Sequence, residues 1–139
     1  MIGKIDTKAY GPPAAMLASI ATVERLKILG PHNFWPAPQV DSAVIRIRPL
    51  PDMQLPPALQ CPWPERAMRL QAWSQFLQEL FQQRRKTLRK ALQSVKGLPV
   101  PDWSRLPFDP QARAEQLAPL DLLHLWLAVK RTELMPGLL

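Results

Sequence analysis

Phe34-Trp35-Pro36-Ala37-Pro38-Gln39-Val40-Asp41-Ser42-Ala43-Val44-Ile45-Arg46-Ile47-Arg48 passes from a stiff loop into a strand within one short run. Pro36 and Pro38, with Pro31 shortly before them, forbid a helix and leave two large aromatic side chains in a loop. From Ser42 onward Ala43, Ile45 and Ile47 alternate with Val44, Arg46 and Arg48, the two-residue period of a β-strand. Thr22 to Leu29 also reads as a strand, with weaker alternation, and Gly30 to Pro38 form the loop between the two. Further upstream, Gly11-Pro12-Pro13 precedes good helix formers from Ala14 to Ile20, and proline in a first helical turn sacrifices little, so a short helix is predicted there.

Downstream the character changes. Pro49, Pro51, Pro56, Pro57, Pro62 and Pro64 make residues 49–64 a semi-rigid connection, which predicts a domain boundary. Beyond it Trp73, Phe76, Leu77, Leu80 and Phe81 recur at the spacing of an amphipathic helix. Leu88, Leu92 and Val95 extend a stripe toward Gly97, a natural helix stop, and whether one helix or two results is left open. After a proline-rich loop from Pro99 to Pro110, Ala112 to Arg131 reads as helical, with Pro119 in the first turn of the final helix. The expected organisation is an α/β segment over 1–50, a proline-rich linker over 51–69 and a small all-helical unit over 70–139.

The chain has 139 residues, 47% of them hydrophobic, enough for a substantial core. Its 17 prolines are more than twice the average usage and agree with long extended connections. A net charge of +7 favours a polyanionic partner such as nucleic acid or an anionic membrane surface. The polar start from Met1 to Tyr10 has no signal-peptide core, and no apolar run is long enough to span a bilayer, so a cytoplasmic protein with no membrane partner is expected. One cysteine, Cys61, excludes an internal disulfide. Together with His32 and His124 it makes no metal-ligand cluster, and structural or solvent-exposed roles are expected for all three.

The glycines are scattered and form no G-x-G turn, and no serine or cysteine sits beside a recognisable base. No catalytic, cofactor-binding or metal-binding residue is therefore assigned. The segment with most chemical content is basic: Arg84, Arg85, Lys86, Arg89 and Lys90 are five of the seven residues from 84 to 90. On a helix, 85, 86, 89 and 90 would share a surface turned away from Leu88 and Leu92, a ridge able to neutralise RNA phosphates. The alternative is a solvated face near a helix C-terminus, where cations meet the dipole favourably. Phe34 and Trp35 likewise have two readings, packing over a core edge or stacking on an unstacked base.

Three segments in this order resemble the bacterial-type family of small-subunit rRNA adenine N6,N6-dimethyltransferases. Lys8-Ala9-Tyr10-Gly11 is similar to that family's K-x-Y-G. Phe34 to Val44 is similar to F-x-P-x-P-K-V-D-S-A-V, and Phe81-Gln82-Gln83-Arg84-Arg85-Lys86-Thr87-Leu88 to F-x-x-R-R-K-T-L. Arg113-Ala114-Glu115-Gln116-Leu117 follows, for R-A-E-x-L. The family's lysine before the valine is Gln39 here, one cation fewer beside the loop, and Pro12-Pro13 replaces its usual small and apolar pair.

The resemblance covers the C-terminal part of such an enzyme. It implies the end segment of a Rossmann-like methyltransferase sheet, a helix and the last two strands, joined to a small helical domain. It also implies S-adenosylmethionine as cofactor and rRNA of the small subunit, or a pre-ribosomal subunit, as partner. Phe34 is then expected to stack on the target base, and Arg84, Arg85, Lys86, Arg89 and Lys90 to dock rRNA. The family's glycine-rich turn and N-L-P-Y type motif are not found, which points to a missing N-terminal methyltransferase half and to a chain inactive alone. Two alternatives remain open: a non-enzymatic RNA-binding or ribosome-assembly module, and an inactive truncated gene product.

Overall fold

A computed structural model describes residues 8–95 and 98–134, apart from the side chains of 131–134. The order is α1 (Pro12–Ile20), β1 (Ala21–Leu29), β2 (Ser42–Pro49), α2 (Glu65–Gln82), α3 (Leu88–Ser94) and α4 (Pro119–Leu134). Gly97, expected as a helix stop, and the start before Lys8 lie outside the described residues.

Helix α1 opens at an extended Gly11 cap with Pro12 and Pro13 in its first two positions, as the sequence predicts. Its buried residues are small, Ala14, Ala15 and Ser19, and the Ser19 hydroxyl donates back to the Ala15 carbonyl at 2.9 Å. Small side chains let α1 approach α2 and α4 closely, and it packs on both. Helix α2 buries the full predicted stripe of Trp73, Phe76, Leu77, Leu80 and Phe81. Trp73 is fully enclosed, stacked on Phe76 with centroids 5.9 Å apart and tilted against Trp126 of α4 at 5.5 Å. Leu88, Ala91 and Leu92 from α3 and Leu122, Leu123, Leu125 and Val129 from α4 complete one cluster with Tyr10, Ala14 and Ala15.

That cluster joins residues on both sides of the proline-rich stretch. The stretch itself lies against the fold, with Leu55 buried just after a short 3-10 turn over Asp52–Gln54 and Leu59 buried at the end of another over Pro57–Leu59. Arg69 donates to the Ala58 carbonyl, Gln60 to that of Leu55, and Arg66 pairs with Asp52 at 2.9 Å. Helix α2 starts at Glu65, inside the 51–69 span expected as linker, because Pro64 suits a helix N-cap where no N–H need be donated. The helical reading of 112–118 contracts to one 3-10 turn, Ala114–Gln116, and the final helix begins at Pro119 as expected.

The strands pair antiparallel from Ala21↔Pro49 to Leu29↔Ser42, with a register shift between Arg25 and Lys27 that makes Leu26 the extra residue of a bulge. The bulge accounts for the weak alternation of β1. Partners share a face, so Val23, Arg25 and Ile28 lie with Ala43, Ile45 and Ile47, while Thr22, Glu24 and Lys27 lie with Val44, Arg46 and Arg48. Without the extra residue Ile28 would fall on the charged face. No other strand joins this ribbon among the described residues.

Candidate nucleic-acid interface

The basic run does not lie on a continuous helix. Helix α2 stops at Gln82, residues 83–86 turn, and Thr87 caps α3 by accepting from the Lys90 N–H at 3.5 Å. The Leu88 and Arg89 amides donate to the Ala112 and Pro110 carbonyls at 2.8 and 3.2 Å. Every early N–H of α3 thus has a protein acceptor, and the helix end offers no backbone donor to an anion.

The five cations divide into unlike groups. Arg84 turns inward. Its Nε and Nη2 lie 3.0 and 2.9 Å from Oε2 of Glu115, and the guanidinium also donates to the Tyr10 and Lys8 carbonyls at 3.0 and 3.3 Å. It therefore fastens three segments of the fold, although the sequence groups it with the phosphate contacts. Arg85, Lys86, Arg89 and Lys90 are exposed around the α2–α3 turn. Lys86 donates to the Ser94 hydroxyl at 2.9 Å, and among the described residues no ion pair engages Arg85, Arg89 or Lys90. Arg89 and Lys90 stand in the first turn of α3, the positive end of its dipole, where cations are disfavoured. The solvated-face alternative, which relied on a helix C-terminus, therefore applies only to the residues before Thr87. Two cations held at an unfavourable helix end, beside two more, form a surface that an anion would relieve.

The aromatic loop is built differently from its sequence-level reading in one respect. A 3-10 turn, Pro31–Asn33, leads into Phe34, which is extended and 39% exposed, whereas Trp35 is 96% exposed. Trp35 presents the larger open π surface, and the signal that singles it out, an aromatic directly before a proline in the same loop, is local and readable. Gln39 is exposed beside it. His32 is exposed with Nε2 3.3 Å from the Asn33 amide nitrogen, and His124 is exposed on α4. Cys61 is partly buried in an open groove with Asp52, Met53, Gln60, Pro62 and Arg66. The structure brings none of these three into a metal-ligating group among the described residues. No described helix is long and apolar enough to cross a membrane.

Tyr10, quoted only as part of a short motif, proves to be a buried anchor. Its ring is 2% exposed and meets Phe81 edge to face at 5.7 Å, and its hydroxyl donates to the Leu117 carbonyl at 2.9 Å. Burial, with Asp121 nearby, pushes its hydroxyl up to about 12.

Comparison with known sequences gives the class of protein: residues 1–126 match the family described as Ribosomal RNA adenine dimethylase, and the chain belongs to that family. Among its relatives is the Ribosomal RNA small subunit methyltransferase A of Acidithiobacillus ferrooxidans, 40% identical over 111 residues that make up 80% of this chain and 37% of that protein. The protein of the same name from Bifidobacterium longum is 32% identical over 131 residues, 94% of this chain and 42% of that one. The chain thus spans about two fifths of the length of these relatives. A solved dimethyladenosine transferase from Plasmodium falciparum superposes with a TM-score of 0.63 at 16% identity, covering 94% of this chain and 52% of that one, a likeness of fold.

Proposed function

We propose that this chain is the C-terminal, rRNA-docking portion of an S-adenosylmethionine-dependent rRNA adenine dimethyltransferase. The observation that carries this reading is the exposed quartet Arg85, Lys86, Arg89 and Lys90 on the α2–α3 turn of a chain in this family. The quartet neutralises backbone phosphates of small-subunit rRNA. Phe34, with Trp35 beside it, offers the apolar surface on which an unstacked adenine rests. Arg84 acts through the fold, holding the end of α2 against Tyr10 and Glu115 so that the turn has a fixed shape.

The described residues do not fit S-adenosylmethionine. The sheet is an antiparallel pair with no strand running through a glycine turn into a helix, and at α1, which does follow a glycine, Pro12 and Pro13 remove two of the N–H donors a helix end would offer. In this reading the remaining three fifths of a relative-length enzyme holds the cofactor.

A second reading, an RNA-binding module without catalysis, draws on the helical core, which is closed by its own residues. Titrating the chain with a fragment of small-subunit rRNA tests the docking common to both. Saturable binding that the quadruple alanine variant loses is expected, and equal binding by that variant would refute the assignment. Methyl transfer to the same fragment, after an N-terminal domain of the family is supplied, separates enzyme from module.

A further inference from the structure

Of the exposed cations Arg85, Lys86, Arg89 and Lys90, Lys86 alone has its charged group held by a hydrogen bond among the described residues. Its ammonium donates to the Ser94 hydroxyl at 2.9 Å, so a side chain rooted before the first turn of α3 ends at the last residue of that helix. No carboxylate occurs in the sequence from 80 to 101 to hold it by charge instead. Ser94 is itself oriented. Its hydroxyl hydrogen goes to the Lys90 carbonyl one turn back, at 2.8 Å, which leaves the oxygen lone pairs to accept from the lysine. A hydroxyl that already donates is a stronger acceptor, because the two bonds polarise each other. A phosphate oxygen can only accept, and the single hydrogen of Ser94 is committed, so this hydroxyl suits an ammonium and offers no donor to RNA.

We propose that Ser94 is a positioning residue for the rRNA interface, fixing the Lys86 ammonium along α3 in advance of the phosphate it meets. The inference rests on the docking reading of the quartet and adds to it a residue that touches no phosphate. An unrestrained lysine loses the rotational freedom of its long stem when it grips an anion, and that loss weakens binding. The Ser94 hydroxyl removes part of the loss before RNA arrives. An ammonium has three donors, so the bond to Ser94 leaves the others for phosphate oxygens. The tether also sets direction, drawing the Lys86 charge onto the side of α3 that carries Lys90 and Ser94.

Titration of residues 1–139 with a fragment of small-subunit rRNA at several salt concentrations tests it, with circular dichroism confirming that each variant is folded. Ser94→Ala should weaken binding roughly threefold while the log–log salt slope stays that of wild type, because every cation remains. Ser94→Thr, which keeps a hydroxyl able to bond the carbonyl one turn back, should bind like wild type. In a Lys86→Ala background Ser94→Ala should change nothing further, a coupling that a role in merely supporting α3 would not produce. Unaltered binding by Ser94→Ala where Lys86→Ala weakens it would overturn the inference and leave the docking reading standing. Equal weakening by Ser94→Ala with and without Lys86 would also overturn it. Indifference to Lys86→Ala would remove Lys86 from the docking surface, and the role of Ser94 with it.

Discussion

Arg84 and Glu115 meet through a single carboxylate oxygen, with Oε2 taking both Nε at 3.0 Å and Nη2 at 2.9 Å, and the pair is only partly exposed. Two further guanidinium N–H groups donate to the carbonyls of Tyr10 and Lys8, so one side chain closes the end of α2, the entry to α1 and the Ala114–Gln116 turn. Arg84→Ala should therefore cost about 1–3 kcal/mol, since it strands a carboxylate and two carbonyls. The neighbouring Arg85→Ala should stay within about 0.5 kcal/mol. Urea denaturation of both variants measures the contrast, and equal losses would deny Arg84 its fastening role.

Tyr10→Phe removes the hydroxyl that satisfies the Leu117 carbonyl and should cost about 1–2 kcal/mol at neutral pH. The raised pKa of Tyr10, about 12 in the fold against about 10 unfolded, adds a pH dependence. Between those values the unfolded chain has released the proton that the folded chain retains. The contribution of Tyr10 is complete below pH 10 and lost as pH rises toward 12. The stability gap between wild type and Tyr10→Phe should narrow over that window, and a constant gap would contradict the burial argument.

Salt dependence reads the quartet residue by residue. Each alanine among Arg85, Lys86, Arg89 and Lys90 that removes a phosphate contact should reduce the log–log salt slope of RNA binding by roughly 0.7–0.9. Arg84→Ala should lower affinity only as far as it loosens the turn, with the slope preserved. A slope that falls equally for Arg84 would restore it to the phosphate contacts.

Phe34 and Trp35 differ in what they cover. Trp35→Ala should shift stability by less than about 0.5 kcal/mol, and Phe34→Ala by about 1 kcal/mol, reflecting their exposures of 96% and 39%. Loss of about 1–3 kcal/mol in binding an exposed base identifies the stacking ring. Fluorescence-monitored titration with a single-stranded adenine-containing oligonucleotide makes the comparison, and unchanged affinity in both variants would return the loop to a packing role.

Sequence patterns predict the elements that repeat locally. The stripe of α2 and the alternation of β2 depend on neighbours a few positions apart, and each appears where its period puts it. Pro12-Pro13 and Pro119 mark helix starts for an equally local reason. What stays hidden depends on distant partners. Nothing near Arg84 distinguishes it from Arg85, because the carboxylate that turns it inward is Glu115. Tyr10 reads as one polar aromatic in a polar start until Leu117 and Phe81 enclose it. The break between α2 and α3 has no proline or glycine; the Thr87 cap is a local cue, but the Pro110 and Ala112 carbonyls that receive the first amides of α3 are tertiary. The bulge at Leu26 obscures the alternation of β1 in the sequence and yet brings Ile28 onto the face of Val23, Ala43, Ile45 and Ile47 in the structure.

The ribbon leaves the helical core and comes back to the same place. Ala21 and Pro49 are register partners, and the Leu50 amide donates to the Ile20 carbonyl at 2.9 Å, while no residue of β1 or β2 belongs to the central buried cluster. In terms of chain architecture the hairpin is an inserted arm with a closed root. Substitutions along such an arm do not touch the packing of the body, so the basic turn keeps its shape whatever side chains the arm carries.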